Sequence, residues 1–163
     1  MEKTNAMRVL DRHGIKYDSY CYLADGKQIA PEDAPCGVET AHALGLDERT
    51  VFKTLVTEGK SLSHYVFVIP VAEELDLKKA AAAAGEKSVV MLKSKNLLPL
   101  TGYVHGGCSP IGMKKVFRTF VDKSAEEYGK IVFSAGRIGY QIGAAPSALL
   151  AVVGAEYADL VRK

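Results

Sequence analysis

The residues best suited to chemistry cluster in one loop, Gly102-Tyr103-Val104-His105-Gly106-Gly107-Cys108-Ser109-Pro110-Ile111-Gly112, followed by Met113-Lys114-Lys115. Glycine tolerates positive φ, and successive glycines let backbone N–H groups turn toward a negative charge. The loop therefore reads either as a nest for an anion or oxyanion, or as a tight turn between two elements. It matches neither the Walker A pattern nor G-x-G-x-x-G. Cys108 invites a nucleophile reading with His105 as the nearest base, but no ordered Cys–His–Asn/Asp signature accompanies it. A buried structural thiol fits Cys108 better. His13, His42 and His64 sit in ordinary helix or strand contexts. Lys53 is the second informative residue, because it interrupts the apolar run Val51-Phe52-Lys53-Thr54-Leu55-Val56. By alternation it points to solvent; alternatively it projects from a rigid strand into a cleft with Thr54 beside it.

The elements that must position these residues follow from periodicity and punctuation. Thr4 caps a helix running through His13, and Gly14 ends it. Ile15 to Leu23 reads as a strand, Ala24 to Gly37 as a loop, and Val38 to Leu44 as a short helix closed by Gly45. Strands are expected at Val51–Val56 and Ser63–Pro70, the latter apolar enough for burial on both faces. Asp76 caps a helix over Leu77–Ala84, and Gly85 stops it. Ser88–Leu92 is a further strand and Ser94–Leu100 a helix ending near Pro99. Lys115–Val121, Lys130–Ser134 and Gly139–Ile142 are strands, with a helical turn at Ser124–Tyr128. Pro146 opens a helix over Ser147–Val153, and Ala155–Val161 reads as a last helical segment. Consecutive strands near the C-terminus favour an α+β fold with a mixed β-sheet surrounded by helices over a doubly wound one.

With 163 residues the chain suits a single compact domain, 1–163, which buries roughly two thirds of its surface without staples. Three cysteines (Cys21, Cys36, Cys108) and no secretion signal argue against a disulfide framework. No His/Cys spacing suggests a metal, and no apolar run spans a bilayer, so a cytoplasmic protein is expected. Charge is segregated. Residues 1–77 hold 8 Lys/Arg against 13 Asp/Glu, whereas residues 78–137 hold 11 against 4. A basic middle on a nearly neutral chain fits either a phosphate-bearing partner or a solvated lysine face.

Taken together, Phe52-Lys53-Thr54-Leu55, the glycine loop through Lys115, Ser134-Ala135-Gly136-Arg137-Ile138-Gly139 and Leu75-Asp76-Leu77-Lys78-Lys79-Ala80 resemble the YbaK family of free-standing aminoacyl-tRNA deacylases. That family is related to the editing domain inserted in bacterial prolyl-tRNA synthetases. The resemblance covers nearly the whole chain. It implies a compact α+β editing fold that binds the 3′ acceptor end of aminoacylated tRNA. It also implies removal of cysteine mischarged on tRNA(Pro), and often of cysteine from tRNA(Cys). A prolyl-tRNA synthetase is the implied partner. No metal, no cofactor and no protein nucleophile are implied; the substrate thiol attacks its own ester carbonyl.

By the same resemblance Lys53 and Gly106 match the positions most tied to activity. On physical grounds the Gly106 and Gly107 N–H groups are expected to act as oxyanion donors. Tyr22, Thr54 and Ser134 match positions around the pocket. Ser109, Gly136 and Arg137 complete the substrate-binding candidates. Two departures stand out: Cys36 where some relatives carry an aromatic residue, and Ile138 where relatives often carry arginine. Rival readings are a deacylase of another small mischarged species such as Ala-tRNA(Pro), a noncatalytic tRNA- or synthetase-binding module, and, more weakly, a thiol-redox protein.

Overall fold

A computed structural model describes residues 2–23 and 27–163. Of the expected Ala24–Gly37 loop, Ala24 to Gly26 lie outside the described residues. The remainder holds a short 3-10 turn at Pro31–Asp33.

The elements are α1 (Asn5–Arg12), β1 (Asp18–Cys21), α2 (Gly37–Ala43), β2 (Phe52–Gly59), β3 (His64–Pro70), α3 (Leu77–Ala84) and β4 (Val89–Met91). They continue with α4 (Ser94–Thr101), β5 (Arg118–Asp122), β6 (Ile131–Ser134), β7 (Tyr140–Ala144), α5 (Pro146–Val153) and β8 (Glu156–Ala158). Local chemistry sets many of the boundaries. The Met7 N–H donates to Thr4 Oγ1, and the Lys78 and Lys79 N–H groups donate to Asp76. Gly85 and Gly154 leave α3 and α5 in the left-handed conformation.

The α+β class holds, but the strands form two sheets rather than one. The larger is mixed, in the order β4-β2-β3-β5-β8, and the smaller is antiparallel, β1-β7-β6. A parallel bridge, Val51 to Val132, links them at one margin, and their facing side chains share a core. The expected terminal helix over Ala155–Val161 is instead β8, with Val161 bridged to Leu75. The exposed edge of β5 supplies unpaired main-chain groups, and satisfying them outweighs a weak helical pattern. Strand β1 is shorter than expected, and α4 runs through Pro99 to Thr101.

The core has two main compartments divided by β3. Val66 and Val68 face Phe52, Phe133, Ile142, Met7 and Leu10 between the sheets. Tyr65, Phe67 and Ile69 face Phe120 and the alanines of α3. Burial of β3 on both faces is thus what its apolar run implied. Small alanines let α3 lie close to the sheet. No described helix is long and apolar enough to cross a membrane.

One side chain fixes the glycine loop. Tyr103 is buried, its hydroxyl donating to the Ile111 carbonyl at 2.6 Å and facing Asn5 Nδ2 of α1 at 3.3 Å. Gly112 (φ +81°) and Gly136 (φ +93°) lie against it, and a Cβ at Gly136 would stand 2.6 Å from the Tyr103 ring. Gly136→Ala combines left-handed strain with this clash. It should therefore destabilise the fold by about 2 kcal/mol or more. A denaturant or thermal melt measures this; an unchanged midpoint would show that Tyr103 does not constrain the loop.

Candidate functional site

Strand β2 is paired unevenly along its outer edge. The Gly59 N–H bonds the Ser63 carbonyl at 2.8 Å and the Val71 N–H bonds the Val51 carbonyl at 2.9 Å. Odd-numbered residues of the strand therefore turn their main-chain groups toward β3. Even-numbered ones face outward: the Leu92 N–H bonds the Val56 carbonyl at 3.0 Å. Strand β4 pairs with Thr57–Gly59, and the bridge to β6 is at Val51. Between these contacts the Thr54 N–H and C=O have no strand partner among the described residues. A cleft of about 360 Å³ opens there. Five consecutive residues, Val51 to Leu55, line it. Side chains of one strand face alternately, so an unbroken run marks the strand edge itself as the wall.

Segments distant in the chain complete the cleft. Pro35, Cys36, Gly37 and Thr40 come from α2 and the turn before it. His105, Gly106 and Cys108 come from the glycine loop, and Ser134 and Gln141 from a paired position of β6 and β7. Leu97 of α4 closes one side.

Lys53 enters the cleft partly buried and makes no ion pair among the described residues. Burial pulls its ammonium below the ordinary lysine range, while Glu74, Cys36 and Glu73 act in the opposite direction. Thr54 Oγ1 is buried without a hydrogen-bond partner. Gln141 is 8% exposed, and its amide makes no hydrogen bond among the described residues. A buried polar atom without a partner is uncommon, and Thr54 Oγ1 on the cleft wall, with the unbonded Gln141 side chain near it, suits a polar guest.

Gly106 has φ +85°, and a Cβ there would stand 2.6 Å from Ala34 Cβ. Its N–H has no partner among the described residues, leaving it available at the cleft wall. The paired-donor expectation is corrected at Gly107, whose N–H already donates to the Val104 carbonyl at 3.0 Å. Gly107 is needed for a steric reason instead: a Cβ would stand 2.9 Å from the Ile138 nitrogen.

The remaining candidates divide by position. Ser134 lines the cleft, and its Oγ accepts the Gly136 N–H at 3.1 Å. Tyr22 stands one layer out, against Thr40, with its phenol pushed up by burial. Ser109 is fully buried and its Oγ accepts the Ile111 N–H at 3.2 Å, so it shapes the loop rather than the cleft. Gly136 packs on Tyr103 outside the cleft. Arg137 also lies outside, bonded to Glu2 at 2.7 Å and stacked over Tyr140. Ile138, where arginine was expected, is 7% exposed and packs beneath Gly106 and Gly107. Cys108 is buried and its thiol is pushed up to about 12, so it stays protonated and is a poor nucleophile.

Sequence reasoning missed Gln141, Thr40 and Leu97. Gln141 left one trace, a lone amide inside the apolar run Tyr140–Ala144. Thr40 and Leu97 reach the cleft only through tertiary packing.

Comparison with known proteins bears on this arrangement. The profile of the aminoacyl-tRNA editing domain matches residues 32–152, a span containing every cleft residue. A protein of Enterococcus faecalis, named "Putative Cys-tRNA(Pro)/Cys-tRNA(Cys) deacylase EbsC", is 43% identical over 99% of this chain and 95% of its own. A crystal structure described as "a putative trans-editing enzyme for prolyl tRNA synthetase" superposes with a TM-score of 0.79 at 25% identity, covering 98% of this chain and 96% of that one. The hypothetical protein APE2540 shares the fold with a TM-score of 0.83 at 23% identity, over 97% of this chain and 99% of its own. Full-length identity at this level, with the profile spanning the whole cleft, means that the chain belongs to the aminoacyl-tRNA editing domain family.

Proposed function

We propose that this chain is a trans-editing deacylase that removes cysteine from mischarged tRNA(Pro), and also cleaves Cys-tRNA(Cys). The observation that carries this reading is the meeting of the Lys53 ammonium and the free Gly106 N–H in one cleft, among family-matched residues. The curated relative's name supplies the substrate class, and the cleft supplies groups able to act on an ester.

The reaction needs little from the protein beyond placement. The cysteinyl thiol attacks its own ester carbonyl, a C–S bond closes a four-membered thiolactone, and the C–O bond to the ribose breaks. The departing ribose oxygen takes up the thiol proton. Ring strain opposes closure, but well-oriented groups reach effective molarities of ~10⁵–10⁸ M. The Lys53 ammonium raises the thiolate fraction of the substrate and orients the acyl group. The Gly106 N–H faces the carbonyl oxygen as charge develops; one such donor is worth ~2.7–4 kcal/mol in well-studied enzymes. Serine esters react far more slowly, because a hydroxyl is scarcely ionised near neutrality.

The basic segment gives the tRNA a docking surface. Lys87, Lys93, Lys95, Lys114 and Lys115 make no ion pair among the described residues, unlike Lys3, Lys79 and Lys130. They flank β4 and α4, and α4 carries Leu97 into the cleft. Phosphate contacts of this kind position a duplex without reading its sequence. Recognition of one particular tRNA is then supplied by a prolyl-tRNA synthetase bound to the same tRNA.

The central experiment incubates purified protein with Cys-, Ala-, Ser- and Pro-tRNA(Pro), follows each ester, and traps the released product. Rapid loss of the cysteinyl ester with cysteine thiolactone is expected. Preferential loss of the alanyl ester would favour the sister-deacylase reading, and tRNA binding without cleavage would make the chain a binding module. Lys53→Ala should lower deacylation by ~10²-fold or more with an unchanged melting curve. Wild-type-like turnover by that variant would remove Lys53 from the reaction. Cys108→Ser should keep most of the activity; a folded but inactive variant would implicate a protein thiol. Affinity for tRNA should fall steeply between 50 and 200 mM salt, with log Kd changing by roughly 0.7–0.9 per log unit of salt for each phosphate contact. A flat dependence would show that the lysine surface is not the docking face.

A further inference from the structure

Cys36 borders the cleft without a part in the deacylation scheme. It is exposed, unlike Cys108, and within electrostatic reach of Lys53. As the N-cap residue of α2 it is held by its own N–H, which donates to Glu39 Oε1 at 3.0 Å, and its thiol lies against the same carboxylate. His105 lines the same cleft from the glycine loop. The approach of Gly106 to Ala34 presses that loop against the segment bearing Cys36. The thiol is thus set among Lys53, His105 and Glu39, with Glu73 and Glu74 beside Lys53.

A cysteine alone would carry little, but this one shares its cleft with polar groups that lack partners. Gln141, a residue 8% exposed, makes no side-chain hydrogen bond among the described residues, and the buried Thr54 Oγ1 likewise lacks a partner among them. If the proposed function is right, the occupant of the cleft is a cysteinyl group. A cysteine tethered to Cys36 would bring the same ammonium and side chain into the same space.

We propose that Cys36 is a thiol-modification site that closes the cleft by exchange with cystine, a step that rests on the function proposed above. The Cys36 thiolate attacks one sulfur of cystine, a new S–S bond forms to Cys36, and the S–S bond of cystine breaks. The departing cysteine thiolate takes up the proton that Cys36 lost. Cystine supplies the oxidising equivalents, and a thiol reductant reverses the exchange. The retained half-cystine lies beside Lys53 and Gln141 and excludes the aminoacyl ester. The other thiols are shielded: Cys108 by burial, and Cys21 by partial burial and a 3.5 Å contact from its Sγ to the Leu23 carbonyl.

The test treats the intact protein with cystine, maps adducts by peptide mass spectrometry and assays Cys-tRNA(Pro) cleavage before and after a reductant. Cys36 should be modified first, with at least about a ten-fold loss of activity restored by reduction. The Cys36→Ala variant should keep its own untreated rate when cystine is added. Earlier modification of Cys21 or Cys108, or full activity in protein modified at Cys36, would overturn the proposal. Lys53 labelling by an amine-reactive acylating reagent gives a readout independent of turnover. Modification at Cys36 should slow that labelling, and unchanged labelling would refute closure of the cleft. If untreated protein fails to cleave the ester, the function reading falls, while adduct mapping and Lys53 labelling still decide the fate of Cys36.

Discussion

Main-chain N–H and C=O groups on a strand edge must find partners, and the middle of β2 has none on its outer side. The parallel contact between Val51 and Val132 joins the two sheets at one point, and β4 takes over only at Thr57. The gap between these contacts is the cleft. Every element around it can be understood as either opening that gap or lining it. Strand β3 holds β2 straight from the other side by burying both of its own faces. A rigid strand is a precise platform, so Lys53 is held by a paired backbone rather than a mobile loop.

The glycines near the cleft divide into two physical roles. Gly106 turns at positive φ, and its N–H at the wall has no partner among the described residues. Gly107, Gly112 and Gly136 instead permit close approach: Gly107 to the backbone of Arg137 and Ile138, Gly112 and Gly136 to the Tyr103 ring. The loop therefore offers the Gly106 donor on a scaffold of steric necessities, with the adjacent Gly107 N–H already engaged in its own turn. Ile138 belongs to that scaffold. By packing beneath both adjacent glycines it fills with apolar volume a place where a charged side chain would need a partner.

Electrostatics divide the molecule similarly. Some cations find carboxylates on both sides of the charge division: Lys3 with Asp11, Arg49 with Asp47 and Arg162 with Glu74 outside the basic middle, Lys79 with Asp159, Lys130 with Asp18 and Arg137 with Glu2 within it. These exposed pairs contribute little to stability. The lysines around β4 and α4 are left without such partners, and their field is available to a polyanion. Lys53 differs from both groups. It is drawn partly out of water, which costs free energy that a bound anion or polarised ester would offset.

The sequence alone determined the α+β class, most element positions, the family resemblance and the prominence of Lys53 and the glycine loop. These follow from local signals: apolar periodicity, caps such as Asp76, and motifs whose residues are near neighbours in the chain. It did not determine that the strands part into two sheets, that the last segment is β8, or that Gly107 spends its N–H within its own turn. Nor did it bring Thr40, Gln141 and Leu97 to the wall that Lys53 shares. Those outcomes depend on which strand edges find partners across long stretches of chain, and edge pairing is decided by packing of the whole core, which local sequence does not encode.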